Sequence, residues 1–127
     1  MSLYSLQHVN IRTDKLDETV TFYQDVLGLV NGDRPAFKFP GAWMYVPNSE
    51  DAVMHLIGED DPQPKGSGSV DHIAFGVKGW DKFLAKMQKM KIKHETREVP
   101  GGRLRQVFIH DPNGVLVELN FETNEKV

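Results

Sequence analysis

Two short segments of this chain read as copies of each other, and each carries a histidine at the same place. Leu6-Gln7-His8-Val9-Asn10-Ile11 is matched by Val70-Asp71-His72-Ile73-Ala74-Phe75, 64 residues further on. At nearly the same offset, 63, His55 in Val53-Met54-His55-Leu56-Ile57 pairs with Glu118 in Val117-Glu118-Leu119. A duplicated chain must bury its apolar faces twice, with equivalent residues in equivalent places. Half of such a chain, roughly 60 residues, makes only a marginal core by itself. Two halves sharing a core, or two chains sharing edges, are therefore expected.

The local pattern supports a duplication. Residues 4–12 alternate, with Val9 and Ile11 on one side and Leu6, His8, Asn10 and Arg12 on the other. That predicts a strand. Thr13-Asp14 offers an N-cap, with Asp17 and Glu18 in the first turn. Leu16, Val20, Tyr23 and Leu27 then recur at helical spacing, and Gly28 suits the stop. Strands are predicted over 29–33, over 37–46 with a bend at Gly41, and over 52–57 after the turn Pro47-Asn48-Ser49. Residues 58–69, with Pro62, Pro64, Gly66 and Gly68, read as a linker.

The order then repeats. Residues 70–77 predict a strand, and the stripe Trp80, Phe83, Leu84, Met87 and Met90 predicts a helix. Strands follow over 94–99, 104–110 and 115–121, with turns at Gly101-Gly102 and Asp111-Pro112-Asn113-Gly114. The expected fold is α+β: two βαβββ modules, about 4–57 and 70–121, in a single domain spanning 1–127. They are expected to form a curved mixed sheet with helices on its convex side.

Composition narrows the function classes. The formal charge of −3 argues against nucleic acid as a partner, because phosphate binding needs a basic surface. Lys86, Lys89, Lys91 and Lys93 read as the wet face of the second helix. There is no cysteine, which excludes thiolate metal sites and disulfides. Any metal must be held by His, Asp or Glu. No apolar run approaches the roughly 20 residues of a membrane helix, so no membrane partner is expected. The N-terminal residues carry no signal-peptide pattern. A cytoplasmic protein is expected.

The faces of the strands select the chemistry. His72 shares its side of the strand with Val70, Ala74 and Gly76; Glu118 with Leu116 and Asn120; His55 with Val53 and Ile57. The opposite faces are apolar and suit helix packing. Taken singly, a strand histidine or glutamate is more often structural. Here four residues share an inward phase and pair by offset. His8, His55, His72 and Glu118 are therefore the candidate ligands of a metal in the concave cup, with a small-molecule substrate. Imidazoles and a carboxylate suit Zn, Fe, Mn, Ni or Co. Such a set leaves positions open for water or substrate. His94 reads as a surface residue and His110 as a structural residue beside a turn.

The paired βαβββ pattern, Phe22-Tyr23-Gln24-Asp25-Val26-Leu27-Gly28-Leu29, and Asp111-Pro112-Asn113-Gly114 before Val117-Glu118-Leu119 resemble the vicinal oxygen chelate superfamily. That group includes glyoxalase I, methylmalonyl-CoA epimerase, extradiol dioxygenases, and fosfomycin- and bleomycin-resistance proteins. The stretch from Arg34 to Trp43 is similar to a glyoxalase-like subgroup. The resemblance implies that His8, His72 and Glu118 are ligands shared by several branches. His55 takes the fourth position, where glyoxalase I has Glu and the epimerase Gln. It implies a metal-dependent lyase or isomerase acting on a small oxygenated metabolite by bidentate chelation. Glu118 would be the base and His55 a second proton carrier. Trp43, Phe39 and Gln106 are candidates for the substrate wall. Two alternatives stay open: an Fe(II) extradiol dioxygenase and a small-molecule-binding resistance protein. The resemblance also implies a homodimer.

Overall fold

The computed structural model of the protein describes residues 1–63 and 65–124. The chain divides after Gln63 into two compact units.

In the first unit, β1 (Val9–Thr13) is followed by α1 (Leu16–Thr21), β2 (Val30–Gly32), β3 (Gly41–Tyr45) and β4 (Met54–Gly58). The sheet order is β1-β4-β3-β2. β1 runs parallel to β4, and the other pairs are antiparallel. Strand alternation sorts the faces. Ile11, Ala42, Met44, Met54 and Leu56 are buried together with Tyr23, Val26 and Leu29, and α1 lies against β3 and β4. Full burial of each large apolar side chain contributes about 1.5–3 kcal/mol. His55 and Trp43, out of phase with that set, are only half-buried.

Three local expectations are corrected. The helix begins with Lys15 at the N-cap and has no side-chain cap there. Thr13 instead lies buried in β1, where its Oγ1 accepts the Lys15 N–H at 2.9 Å and sits 3.2 Å from the Thr19 hydroxyl. The helix also widens into π-helical turns over Phe22–Val26, which a 3.6-residue period does not anticipate. Gly28, with φ of 77°, ends it as its sequence position suggests. Third, the strand predicted over 37–46 is regular only over Gly41–Tyr45.

The second unit repeats the order: β5 (Ile73–Gly76), α2 (Trp80–Lys89), β6 (Glu95–Glu98), β7 (Leu104–His110) and β8 (Leu116–Glu122). The sheet runs β5-β8-β7-β6, again with the first strand parallel to the last. Val107, Ile109, Val117, Leu119 and Phe121 face Phe83 and Met87 in the core. Trp80 meets Phe121 edge-on, with ring centroids 5.3 Å apart. The turn before β8 is pinned by Asp111, whose buried Oδ1 accepts the N–H groups of Asn113 and Val115 at 2.8 and 2.9 Å. The α+β class and the double βαβββ order match the expectation, with one four-stranded mixed sheet per module.

Candidate metal centre

The two units place their candidate ligands by the same rule. In the first, Asn10 of β1 stands opposite His55 of β4. In the second, Ala74 of β5 stands opposite Glu118 of β8. His8 lies two residues before Asn10, and His72 two residues before Ala74. Side chains two apart share a face, so each histidine is set beside the last strand's candidate at an equivalent position. One detail differs from the sequence reading. His8 and His72 precede β1 and β5 rather than lying within them.

In the first unit the rings of His8 and His55 stack, with centroids 3.8 Å apart and planes at 12°. Trp43 stands opposite His55 across β3 and β4. It stacks on the other side of that ring, at 4.1 Å and 9°. His55 is thus the middle of three flat groups. Burial pushes its pKa below the usual histidine value, and the neighbouring His8 adds to this. A neutral imidazole keeps a lone pair for a cation. Lone pairs lie in the ring plane, so two stacked rings do not converge on one ion; shared ligation needs one ring to turn.

In the second unit His72 Nδ1 lies 2.8 Å from Asp71 Oδ2. With Nδ1–H donated there, Nε2 is the free nitrogen, and it faces Glu118 Oε1 at 3.6 Å. The hydrogen bond to Asp71 pushes the His72 pKa above its usual value; exposure to the Glu118 and Asp71 charges adds to this, against some desolvation. Glu118 is 13% exposed. Its Oε2 accepts a hydrogen bond from Asn120 Nδ2 at 2.9 Å, and Asn120 Oδ1 accepts one from Gln106 Nε2 at 3.0 Å. A carboxylate held this way has a fixed orientation and one oxygen left toward His72.

Around this pair lies a cavity of about 380 Å³ whose lining includes Lys93, His94, Arg97 and His110. His94 and His110 thus line a pocket, although their sequence settings read as surface and structural. Gln106 serves the chain that holds Glu118. Trp43 and Phe39 line a second cavity, of about 140 Å³, in the first unit with His55. Sequence reasoning missed Asp71 as a histidine partner. Its adjacency to His72 was the available signal.

Within neither unit do three or more His, Asp or Glu side chains gather for a metal, among the described residues. Each unit holds one candidate pair. The donor types fit a divalent cation of borderline hardness: neutral imidazoles, a carboxylate, and a second carboxylate hydrogen-bonded behind a histidine, an arrangement common around metal-bound imidazole.

Comparison with known proteins agrees with the fold. Residues 5–119 match the family model of the Glyoxalase/Bleomycin resistance protein/Dioxygenase superfamily. "Glyoxylase I 4" of Arabidopsis thaliana is 31% identical over 127 residues, covering 94% of this chain and 71% of that protein. A "Probable lactoylglutathione lyase" of Synechocystis is 33% identical over 129 residues, covering 95% and 97%. Among solved structures, a glyoxalase/bleomycin resistance protein/dioxygenase domain from Frankia superposes with a TM-score of 0.77 at 18% identity, covering 98% of this chain and 96% of that one. A mutant of the fosfomycin resistance protein FosX from Listeria monocytogenes, complexed with Mn(II) and a dihydroxypropylphosphonic acid, gives 0.74 at 16% identity, covering 97% and 95%. The chain belongs to the Glyoxalase/Bleomycin resistance protein/Dioxygenase superfamily.

Proposed function

We propose that the protein is a metal-dependent lyase or isomerase of glyoxalase type, acting on a small oxygenated metabolite. In this reading His8, His55, His72 and Glu118 hold one divalent metal, drawn from Zn, Fe, Mn, Ni and Co. The two pairs are contributed across a homodimer, His8 and His55 by one chain and His72 and Glu118 by the other. The observation that carries the reading is the matched register. Two parallel strand pairs, built from different sequence, set a donor pair at the same two positions.

A divalent metal bound there supplies Lewis acidity to two adjacent substrate oxygens. The remaining roles belong to the chain. Asp71 holds His72 in the tautomer that leaves Nε2 free. Asn120 and Gln106 orient Glu118, which takes a proton from the substrate carbon and returns it at the neighbouring position. His55, kept neutral by burial, serves either as the fourth ligand or, unligated, as a second proton acceptor. The names of the relatives make a glutathione hemithioacetal the first substrate to assay.

Metal content tests the proposal. The purified protein should bind about one divalent metal per chain, and His72→Ala should lose it. A protein that binds none, or whose affinity survives loss of both His8 and His72, would sink the enzyme reading. Mixing a His8→Ala/His55→Ala chain with a His72→Ala/Glu118→Ala chain tests the shared site. It should restore metal binding that neither variant shows alone. Oxygen uptake with a catechol would move the assignment to a dioxygenase.

A further inference from the structure

Beside His55, the first unit holds an arginine that the proposed chemistry does not use. Arg34 lies in the segment between β2 and β3. Its guanidinium sits over both Phe37 and Phe39, 5.1 and 5.0 Å from the ring centroids. Those rings stack on each other at 5.1 Å and 19°. Nη2 donates to the Phe39 carbonyl oxygen at 3.0 Å. Gly41 clears the space: a Cβ there would lie 2.7 Å from Nη2. A freely solvated arginine keeps about 2 kcal/mol of rotamer entropy. Here two aromatic faces, a carbonyl and a missing side chain fix the head in one place.

The fixed head still has donors to give. A guanidinium carries five N–H groups in a rigid fork, and among the described residues it makes a single hydrogen bond. It lines the cavity of about 140 Å³ together with Trp43 and His55, and no carboxylate shares that lining. The walls are therefore mostly apolar, with Asn10 and His55 as polar groups, one positive charge and no counter-ion in the lining.

We propose that this cavity receives the anionic end of the substrate, a carboxylate or phosphoryl group on a short apolar or planar stem, with Arg34 as the specificity-determining residue. The assignment of the occupant as substrate rests on the reading of His55 as part of the metal site. Oxyanion binding itself does not. Arginine matches both oxyanions through paired N–H groups, and Trp43 and Phe39 give the cavity apolar wall for the stem.

The test uses the metal-free full chain. Trp43 lines the cavity, so tryptophan fluorescence reports occupancy. The probes are benzoate, phenyl phosphate and benzyl alcohol, which share a ring and differ in charge. At least one oxyanion should bind about tenfold to a hundredfold more tightly than the alcohol, the range of a charged hydrogen-bonded pair. The stronger of the two identifies the group. Arg34→Gln should erase the preference, and Arg34→Lys should retain part of it. Equal binding of all three probes, binding of none, or a preference that survives in Arg34→Gln overturns the proposal. Cobalt(II) binding, measured on the same preparations, judges the metal reading separately.

Discussion

Gly41 is where the fold, the pocket and the arginine meet, and Gly41→Ala is the sharpest test of that geometry. In a strand, alanine ordinarily improves on glycine, which costs about 0.5–1 kcal/mol there. Here the added Cβ would lie 2.5 Å from the Leu56 carbonyl oxygen and 2.7 Å from Arg34 Nη2. Both distances are far inside contact. The two neighbours differ in what they can do. Arg34 Nη2 ends a long side chain and can swing away. Leu56 O belongs to the backbone of β4, its residue is 1% exposed, and it stands opposite Ala42 in the sheet. Relief there must spread β3 from β4. Overpacking of this kind costs about 1–3 kcal/mol, which in a chain of this size lowers Tm by about 4 °C per kcal/mol. Urea unfolding should show a lower midpoint with an unchanged slope. If the backbone contact dominates, adding Arg34→Ala should recover less than about 0.5 kcal/mol. Gly41→Ala should also lose the oxyanion preference at the 140 Å³ cavity, because the guanidinium is displaced. A variant as stable as the parent, or more stable, would refute the close packing of Gly41 against β4.

Two further outcomes follow from the second unit. NMR titration of the metal-free protein should find His72 protonated to a higher pH than an ordinary histidine, and Asp71→Asn should lower its pKa. A raised folded pKa adds stability below the unfolded value, and that stability is lost as pH rises through the folded value. Asp71→Asn should therefore destabilise the protein at acid pH and leave it unchanged at alkaline pH; an unmoved His72 titration would refute the partnership. Asn120→Ala removes the 2.9 Å hydrogen bond to Glu118 and strands Gln106. A bond to a charged group is worth about 1.5–3 kcal/mol, so metal affinity or turnover should fall about tenfold to a hundredfold while the far-ultraviolet spectrum is kept. Unchanged values would mean that Glu118 is held by something else.

Much of the fold was legible because periodicity reports burial. Met54 and Leu56 on β4, and Val117, Leu119 and Phe121 on β8, are buried in the phase their alternation dictates. The same phase put His55 and Glu118 on the opposite faces. What periodicity does not carry is partner identity across the chain. The Gln106–Asn120 link spans 14 residues, and its register is set by β7 pairing with β8. Phe37 to Phe39 read as the start of a strand because the stretch is aromatic, yet its rings are spent on the Arg34 guanidinium rather than on a sheet. The π-helical turns over Phe22–Val26 keep the apolar stripe that a plain helix would show, so they left no separate mark.

The duplication is therefore faithful in backbone and unequal in chemistry. Both units offer a pair at the same register, but the first holds two imidazoles in an aromatic stack and the second an imidazole with a carboxylate. Only the second carries a carboxylate for the proposed proton transfer. Its Glu118 is oriented by a hydrogen-bond chain, and His72 has a carboxylate behind it. In the proposed reading the first serves recognition: Trp43 and His55 line the cavity wall as a stacked pair, and Arg34 supplies the charge. Exchanging His55 for glutamate would put a carboxylate on that wall, next to the cavity that Arg34 lines. The new charge would compete with any substrate oxyanion for the guanidinium. A histidine at that position keeps the donor without the charge, which accounts for its compatibility with Arg34.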